Sequence, residues 1–121
     1  MRVLQSAICA VAILSTACSS SYSPGPQNNG SGGHSLTIAA NSNLTFTPTP
    51  DTVAAGSTVS FAWGSVAHNV QFDTQGAPAS IGSGTTGFTS GDSTRVFPTA
   101  GTYNYHCGIH GLSMHGTVVV R

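Results

Sequence analysis

Residues 100–120 read AGTYNYHCGIHGLSMHGTVVV, and they carry the most informative pattern in the chain. Apolar and polar residues alternate at both ends of this stretch, which predicts β-strands over residues 102–107 and 117–120. In the first strand Tyr103 and Tyr105 should face the core, and the residues between them should face outward. The Gly- and His-containing segment between the strands is predicted to be a loop.

The same alternation continues upstream. It is clearest in TVSFAW (residues 58–63), where every second side chain is large and apolar. Pro48 and Pro50 exclude a central strand at their position, and residues 76–91 are loop-like, with Phe88 as an anchor. No segment has a helical period, so the sequence predicts an all-β sandwich. The further predicted strands are residues 35–39, 44–46, 58–63, 70–72 and 94–97.

The chain carries very few charges for its length. Its 121 residues include three Lys+Arg and three Asp+Glu, and the formal net charge is zero. Clustered cations are required to bind phosphate backbones, so nucleic-acid binding is excluded. A hydrophobic fraction of 39% also excludes a disordered chain, and the length fits one domain with a modest core.

The N-terminal residues predict export. Arg2 precedes a mostly apolar stretch, residues 3–17, that is too short and too interrupted to span a bilayer comfortably. Residues 1–18 are therefore interpreted as a signal peptide. Their end, LSTAC, resembles the lipobox of bacterial lipoproteins, in which the acylated cysteine, here Cys18, becomes the mature N-terminus. Ordinary signal-peptidase cleavage near this position is the alternative.

A flexible linker follows the signal peptide. Residues 19–33 are rich in Ser, Gly, Pro and Asn and contain almost nothing to bury. The folded domain is then predicted to span residues 34–121. This organisation predicts a domain in the bacterial periplasm or cell envelope, tethered to a membrane if Cys18 is acylated.

Cysteine usage singles out one thiol. Two of the three cysteines lie in the signal peptide or at its end, so Cys107 is alone in the domain and has no disulfide partner there. A buried cysteine can simply act as a small hydrophobe. However, His110 and Met114 follow within the same loop, and His68 lies upstream. One thiolate, two imidazoles and one thioether are the ligand set of a blue-copper site.

The stretch 100–120 resembles the C-terminal region of the cupredoxins, closest to the plastocyanin, amicyanin and halocyanin-like branch. Those proteins have a Gly-Thr-Tyr strand, Cys-x-x-His, a short gap, Met-x-Gly and a Val-rich last strand. The upstream His-Asn-Val, residues 68–70, resembles their first-ligand strand. The resemblance implies a Greek-key β-sandwich of about seven to eight strands. It also implies an electron carrier with one copper ion that cycles between Cu(I) and Cu(II), bound by His68, Cys107, His110 and Met114.

Two further residues acquire roles from this resemblance. Asn69 is expected to link the His68 strand to the Cys107 loop. Ile109 stands where the family often has Pro, and its amide is expected to donate a hydrogen bond to the Cys107 sulfur that stabilises Cu(I). The substitution Ile109→Pro should then lower the reduction potential.

The loop departs from the family in one spacing. Three residues separate His110 from Met114, which is intermediate between the plastocyanin-type and amicyanin-type loops. His115 is therefore an alternative axial ligand. Met114 is the preferred candidate, because Gly116 and the Val-rich strand then stay in register with the family.

Other functions fit the sequence less well. Multicopper oxidases have His-Cys-His where this chain has Gly108, and copper nitrite reductases need a second domain and another His between His68 and His106. The histidines outside the ligand set, His34, His106 and His115, are interpreted as exposed polar residues, and enzyme activity is not expected. Copper storage or delivery, and an accessory copper domain of an oxidoreductase, stay as alternatives.

The charge pattern predicts how partners bind. With no Lys or Glu in the chain, charged docking patches of the kind found in some cupredoxins are absent. Redox proteins should instead dock on an apolar rim around His110, and the protein should be a monomer. The association rate should barely depend on ionic strength. The rim residues are Gly108, Ile109, Gly111 and Leu112.

Overall fold

The computed structural model describes residues 35–121, and within these residues the chain forms eight β-strands and no helix. The signal peptide, Cys18, the linker and His34 lie outside the described residues. Within the described part, no helix is long and apolar enough to cross a membrane. The strands are β1 (Leu36–Asn41), β2 (Thr45–Thr47), β3 (Asp51–Val53), β4 (Ser57–Trp63), β5 (Gln71–Phe72), β6 (Asp92–Phe97), β7 (Gly101–Cys107) and β8 (Gly111–Val120).

The strands form two four-stranded sheets. Sheet A has the order β2-β1-β4-β6, and sheet B has the order β3-β8-β7-β5. Two neighbouring pairs, β1 with β4 and β3 with β8, run parallel, so the chain passes through the other sheet between them. The predicted all-β Greek-key sandwich is thereby confirmed.

The core lies between the two sheets and follows the predicted alternation. In β4 every second side chain is buried, and in β7 the buried side chains are Tyr103, Tyr105 and Cys107. Tyr105 is at the centre of an aromatic cluster. Its ring lies edge-on to Phe46 at a centroid distance of 5.0 Å and to Phe61 at 5.4 Å. Such contacts add to the free energy gained by burying the rings.

The last strand is longer than the sequence predicts. β8 begins at Gly111 instead of residue 117, because the chain pairs with β7 again directly after the turn at its end. The register changes within this pairing. His106 is opposite His115, but Cys107 is opposite Gly111, so residues 112–114 are extra on β8 and bulge from the ladder. This bulge shapes the end of the sandwich where the metal centre lies.

Candidate metal centre

Three of the four predicted ligands converge at one end of the sandwich. The Cys107 Sγ lies 3.3 Å from the Nδ1 of His110 and 3.9 Å from the Nδ1 of His68. The ligand atoms of these three residues all lie within 4.8 Å of one another. Within residues 35–121 this is the group of three or more His, Cys, Asp and Glu side chains whose ligand atoms lie this close together.

The backbone fixes each of the three side chains differently. Cys107 ends β7 and is fully buried, because it continues the inward alternation of Tyr103 and Tyr105. His68 is fully buried and is held by two backbone hydrogen bonds with Phe88, at N···O distances of 3.1 and 2.8 Å. His110 is half-buried, and its amide closes the turn by donating to the Cys107 carbonyl at 3.2 Å.

Met114 and His115 lie on opposite faces of β8. Met114 is fully buried and belongs to the bulge opposite the end of β7. His115 is exposed, and its Nδ1 donates a hydrogen bond to the Leu112 carbonyl at 3.0 Å. The buried thioether is therefore the side chain available to the metal centre, whereas the alternative axial ligand His115 faces solvent.

The geometry of the three donors fits a metal ion. Bonds of about 2.0 Å to nitrogen and about 2.3 Å to sulfur, in a trigonal arrangement, separate N from S by about 3.7 Å. This separation lies between the two observed Sγ···Nδ1 distances of 3.3 and 3.9 Å. Burial lowers the pKa of His68, and the neighbouring His110 lowers it further, while the backbone of Asn41 has a smaller opposite effect. A neutral imidazole is the form that binds metals.

Asn69 connects the segment that carries His68 to the turn that follows Cys107. Its Oδ1 accepts a hydrogen bond from the Gly108 amide at 2.6 Å, and its Nδ2 donates to the carbonyls of Gly84 and Thr86 at 3.0 and 3.1 Å. The side chain is fully buried. Asn69 therefore ties the residue after Cys107 to the segment next to His68, and it also holds the 82–87 loop in place.

The hydrogen bond expected from Ile109 is not formed. No hydrogen bond joins the Ile109 amide to the Cys107 sulfur among the described residues, where the polar neighbours of Sγ are the two imidazoles. The side chain of Ile109 instead packs against the core. The expectation that Ile109→Pro lowers the reduction potential therefore loses its structural basis.

An apolar surface surrounds His110. Gly108 and Ile109 are half-buried, Gly111 is exposed, and Leu112 has 72% of its surface exposed. The sequence did not indicate two further exposed apolar side chains at this end, Leu44 and Phe88. Leu44 follows the end of β1 next to Asn41, and Phe88 pairs with His68 and stacks on Trp63 at 5.3 Å. The sequence pattern predicts Phe88 only as a loop anchor, whereas in the structure its ring is also exposed beside the metal centre.

Comparison with known proteins agrees with this geometry. Residues 33–121 match the model of a family described as copper binding proteins of the plastocyanin/azurin family. The chain belongs to this family. The cupredoxin resemblance of residues 100–120 is thereby confirmed. The group formed by His68, Cys107 and His110, together with the buried Met114, fits the single type 1 copper of such proteins.

Solved structures of cupredoxins resemble the chain along most of the domain. A Cu(I) structure of an amicyanin variant is 26% identical, with a TM-score of 0.58, and the match covers 72% of this chain and 82% of amicyanin. Oxidised plastocyanin from Dryopteris crassirhizoma is 27% identical, with a TM-score of 0.61, and the match covers 71% of this chain and all of that plastocyanin. No curated protein matches the chain.

Proposed function

We propose that this cupredoxin is an exported electron carrier that passes single electrons between redox proteins. His68, Cys107, His110 and Met114 hold one copper ion, which supplies the Cu(I)/Cu(II) couple when bound. The observation that carries this proposal is the convergence of two imidazole Nδ1 atoms on the buried Cys107 thiol.

The surroundings of the donors suit electron transfer because they restrict movement. The backbone of His68 is paired with Phe88, and Cys107 is part of the β7–β8 ladder. Asn69 adds a hydrogen bond across the gap between them. Ligands that cannot rearrange keep the same geometry in both oxidation states, so little energy is spent on reorganisation at each transfer.

The exposed edge of the centre gives electrons a route to the surface. Of the three converging donors, only His110 is not fully buried. The apolar rim, together with Leu44 and Phe88, lets a partner protein approach this imidazole without displacing strongly bound water. We propose that redox partners dock here and that the protein acts as a monomer.

Copper storage or delivery is a weaker alternative. Delivery requires a site from which copper is readily exchanged, whereas Cys107 and His68 are fully buried. An accessory copper domain of an oxidoreductase stays a further alternative. We infer that the chain is a carrier, because its buried and tightly held donors suit electron transfer.

The decisive experiment is the addition of Cu²⁺ to the metal-free protein. We expect an intense visible band from thiolate-to-copper charge transfer that is bleached by a reductant and restored by an oxidant. The variant Cys107→Ser should lose the colour and keep the circular dichroism of the sandwich. A colourless wild-type complex with Cys107 intact would refute the electron-carrier proposal. Rapid loss of copper to a mild chelator would support delivery instead.

Export and lipid attachment are proposed from the first 33 residues alone. The signal peptide and the lipobox-like LSTAC support secretion to the bacterial periplasm or cell envelope, with Cys18 as the acylated N-terminus. Mass spectrometry of the mature protein tests this proposal. A diacylglyceryl-modified Cys18 supports the anchor, and an unmodified N-terminus near residue 19 contradicts it.

A further inference from the structure

We propose that His106 and His115 form a second metal site, on the outer face of sheet B, that binds a divalent ion such as Cu²⁺ or Zn²⁺. The two residues are directly opposite each other in the antiparallel β7–β8 pair. Their chain neighbours Tyr105, Cys107 and Met114 are buried, so both histidines face away from the core. Directly opposed residues have Cβ atoms about 5 Å apart, which allows two imidazoles to reach one ion.

Hydrogen bonds fix the same tautomer in both imidazoles. The Nδ1 of His106 lies 2.8 and 3.0 Å from the two carboxylate oxygens of Asp73, and the Nδ1 of His115 lies 3.0 Å from the Leu112 carbonyl. Carbonyl and ionised carboxylate oxygens only accept hydrogen bonds, so each Nδ1 carries the proton. Each neutral ring therefore keeps its free lone pair on Nε2, the atom that can bind a metal.

Asp73 orients one ligand and does not complete a cluster. A carboxylate hydrogen-bonded to a metal-binding histidine fixes the ring and increases its basicity. Asp73, His106 and His115 do not form a group with all ligand atoms within 4.8 Å, since within the described residues such a group is confined to His68, Cys107 and His110. An ion at the outer site would therefore have two imidazole ligands and water in its remaining positions. Binding should be weaker than at the buried centre, and the two sites share no ligand.

Electron paramagnetic resonance tests the site in the full-length protein already loaded with one copper. We expect a second equivalent of Cu²⁺ to bind and to give a spectrum with wide copper hyperfine splitting and coupling to two nitrogens, distinct from that of the thiolate-bound copper. His106→Gln and His115→Gln should each weaken this binding by about tenfold or more. Asp73→Asn, which leaves both ligands in place, should weaken it by about tenfold.

The matched control is His34→Gln, which removes a histidine outside the proposed pair and should leave the second binding event unchanged. Because His106 and His115 are next to Cys107 and Met114, the visible band of the first copper is recorded for every variant. If either His106→Gln or His115→Gln disturbs that band, the proposed site is judged from the remaining histidine variant and from Asp73→Asn. Binding of only one copper per chain, or a second copper lost in His34→Gln and retained in the other variants, would overturn the site. Neither result would affect the electron-carrier proposal.

Discussion

Asn69 links the strand that carries His68 to the turn that follows Cys107. It makes three hydrogen bonds from a fully buried position, to the amide of Gly108 and to the carbonyls of Gly84 and Thr86. Gly108 is half-buried, whereas Gly84 and Thr86 are exposed, so water can replace part of these contacts when the side chain is removed. An unsatisfied buried polar group costs about 1–3 kcal/mol.

We expect Asn69→Ala to lower the free energy of unfolding by about 1–3 kcal/mol, mainly because it removes the partner of the half-buried Gly108 amide. Urea unfolding of the metal-free protein measures this loss. The matched control is Gln71→Ala, which removes a single hydrogen bond from Gln71 Nε2 to the Gly82 carbonyl of the same loop. If the two variants lose equal stability, the tie to Gly108 is not the important contact. The copper band should also broaden or shift in Asn69→Ala alone.

At the level of elements, the β7–β8 pair depends on a close contact between Tyr105 and Gly116. The two residues are directly opposite each other, and a Cβ at position 116 would overlap the ring and hydroxyl of Tyr105. Tyr105 cannot move away, because it is fully buried between Phe46 and Phe61. Gly116, part of the Met-x-Gly motif, therefore makes room for the central ring of the core.

Gly116→Ala is expected to destabilise the protein by about 1–3 kcal/mol, as overpacking of a core does. Gly101→Ala is the matched control in the same pair of strands. A Cβ at position 101 would meet the Tyr103 ring at an ordinary contact distance of 3.5 Å, so this variant should be near neutral. Urea unfolding compares the two. Equal stabilities would show that Tyr105 can shift to accept the methyl group.

The sequence predicted those strands whose apolar and polar residues alternate within a few consecutive positions. The alternation in residues 58–63 and 102–107 is strong because each strand has one buried face, and β4 and β7 follow it closely. The early start of β8 depends on the tight turn and register shift after Cys107, and the pairing of Ile81 with Val70 depends on how the intervening segment folds back. Neither feature leaves an alternation of apolar and polar residues, so the sequence pattern did not reveal them. The same limit applies to the Ile109 amide, whose direction is set by the turn.

The metal-centre residues could be predicted from the sequence because their side chains can bind metals and because the spacing between them matches a known motif. Cys107 and His110 are three residues apart, which one tight turn accommodates. By contrast, no sequence pattern indicates that Leu44 is exposed at the same end of the sandwich. Its position depends on a left-handed backbone conformation, with φ of 62°, in the turn after β1. Such a conformation is uncommon for a residue with a large side chain.

For the whole molecule, the few charges are mostly engaged within the chain itself. The Arg95 guanidinium donates to the carbonyls of Ala79, Thr94 and Ser80, and Asp73 pairs with His106. Asp92 accepts a hydrogen bond from the Ser60 hydroxyl. Residues 34–121 contain only two arginines and three aspartates, and these are scattered along the sequence. The domain therefore has little long-range field to attract or repel a partner.

The effect of this low charge is best tested through electron self-exchange between oxidised and reduced copies of the protein, which needs no identified partner. The rate, measured by NMR line broadening, should change by less than about twofold between about 0.01 and 0.5 M salt, because there is little field to screen. Leu112→Glu puts a charge on the exposed rim around His110, the surface through which two copies would meet to exchange an electron. Its exchange should be slow at low salt and recover as salt screens the repulsion.

Val96→Glu is the matched control, because it adds the same charge as Leu112→Glu at a position far from His110. Val96 is 53% exposed on β6 opposite Thr58, near the start of β4, whereas the metal centre lies towards the end of β4. Both variants have the same net charge, so a docking surface at His110 predicts strong salt dependence for Leu112→Glu and weak dependence for Val96→Glu. Equal salt dependence in the two variants would mean that the copies do not meet at this rim. A steep dependence in the wild-type protein would contradict the neutral encounter itself.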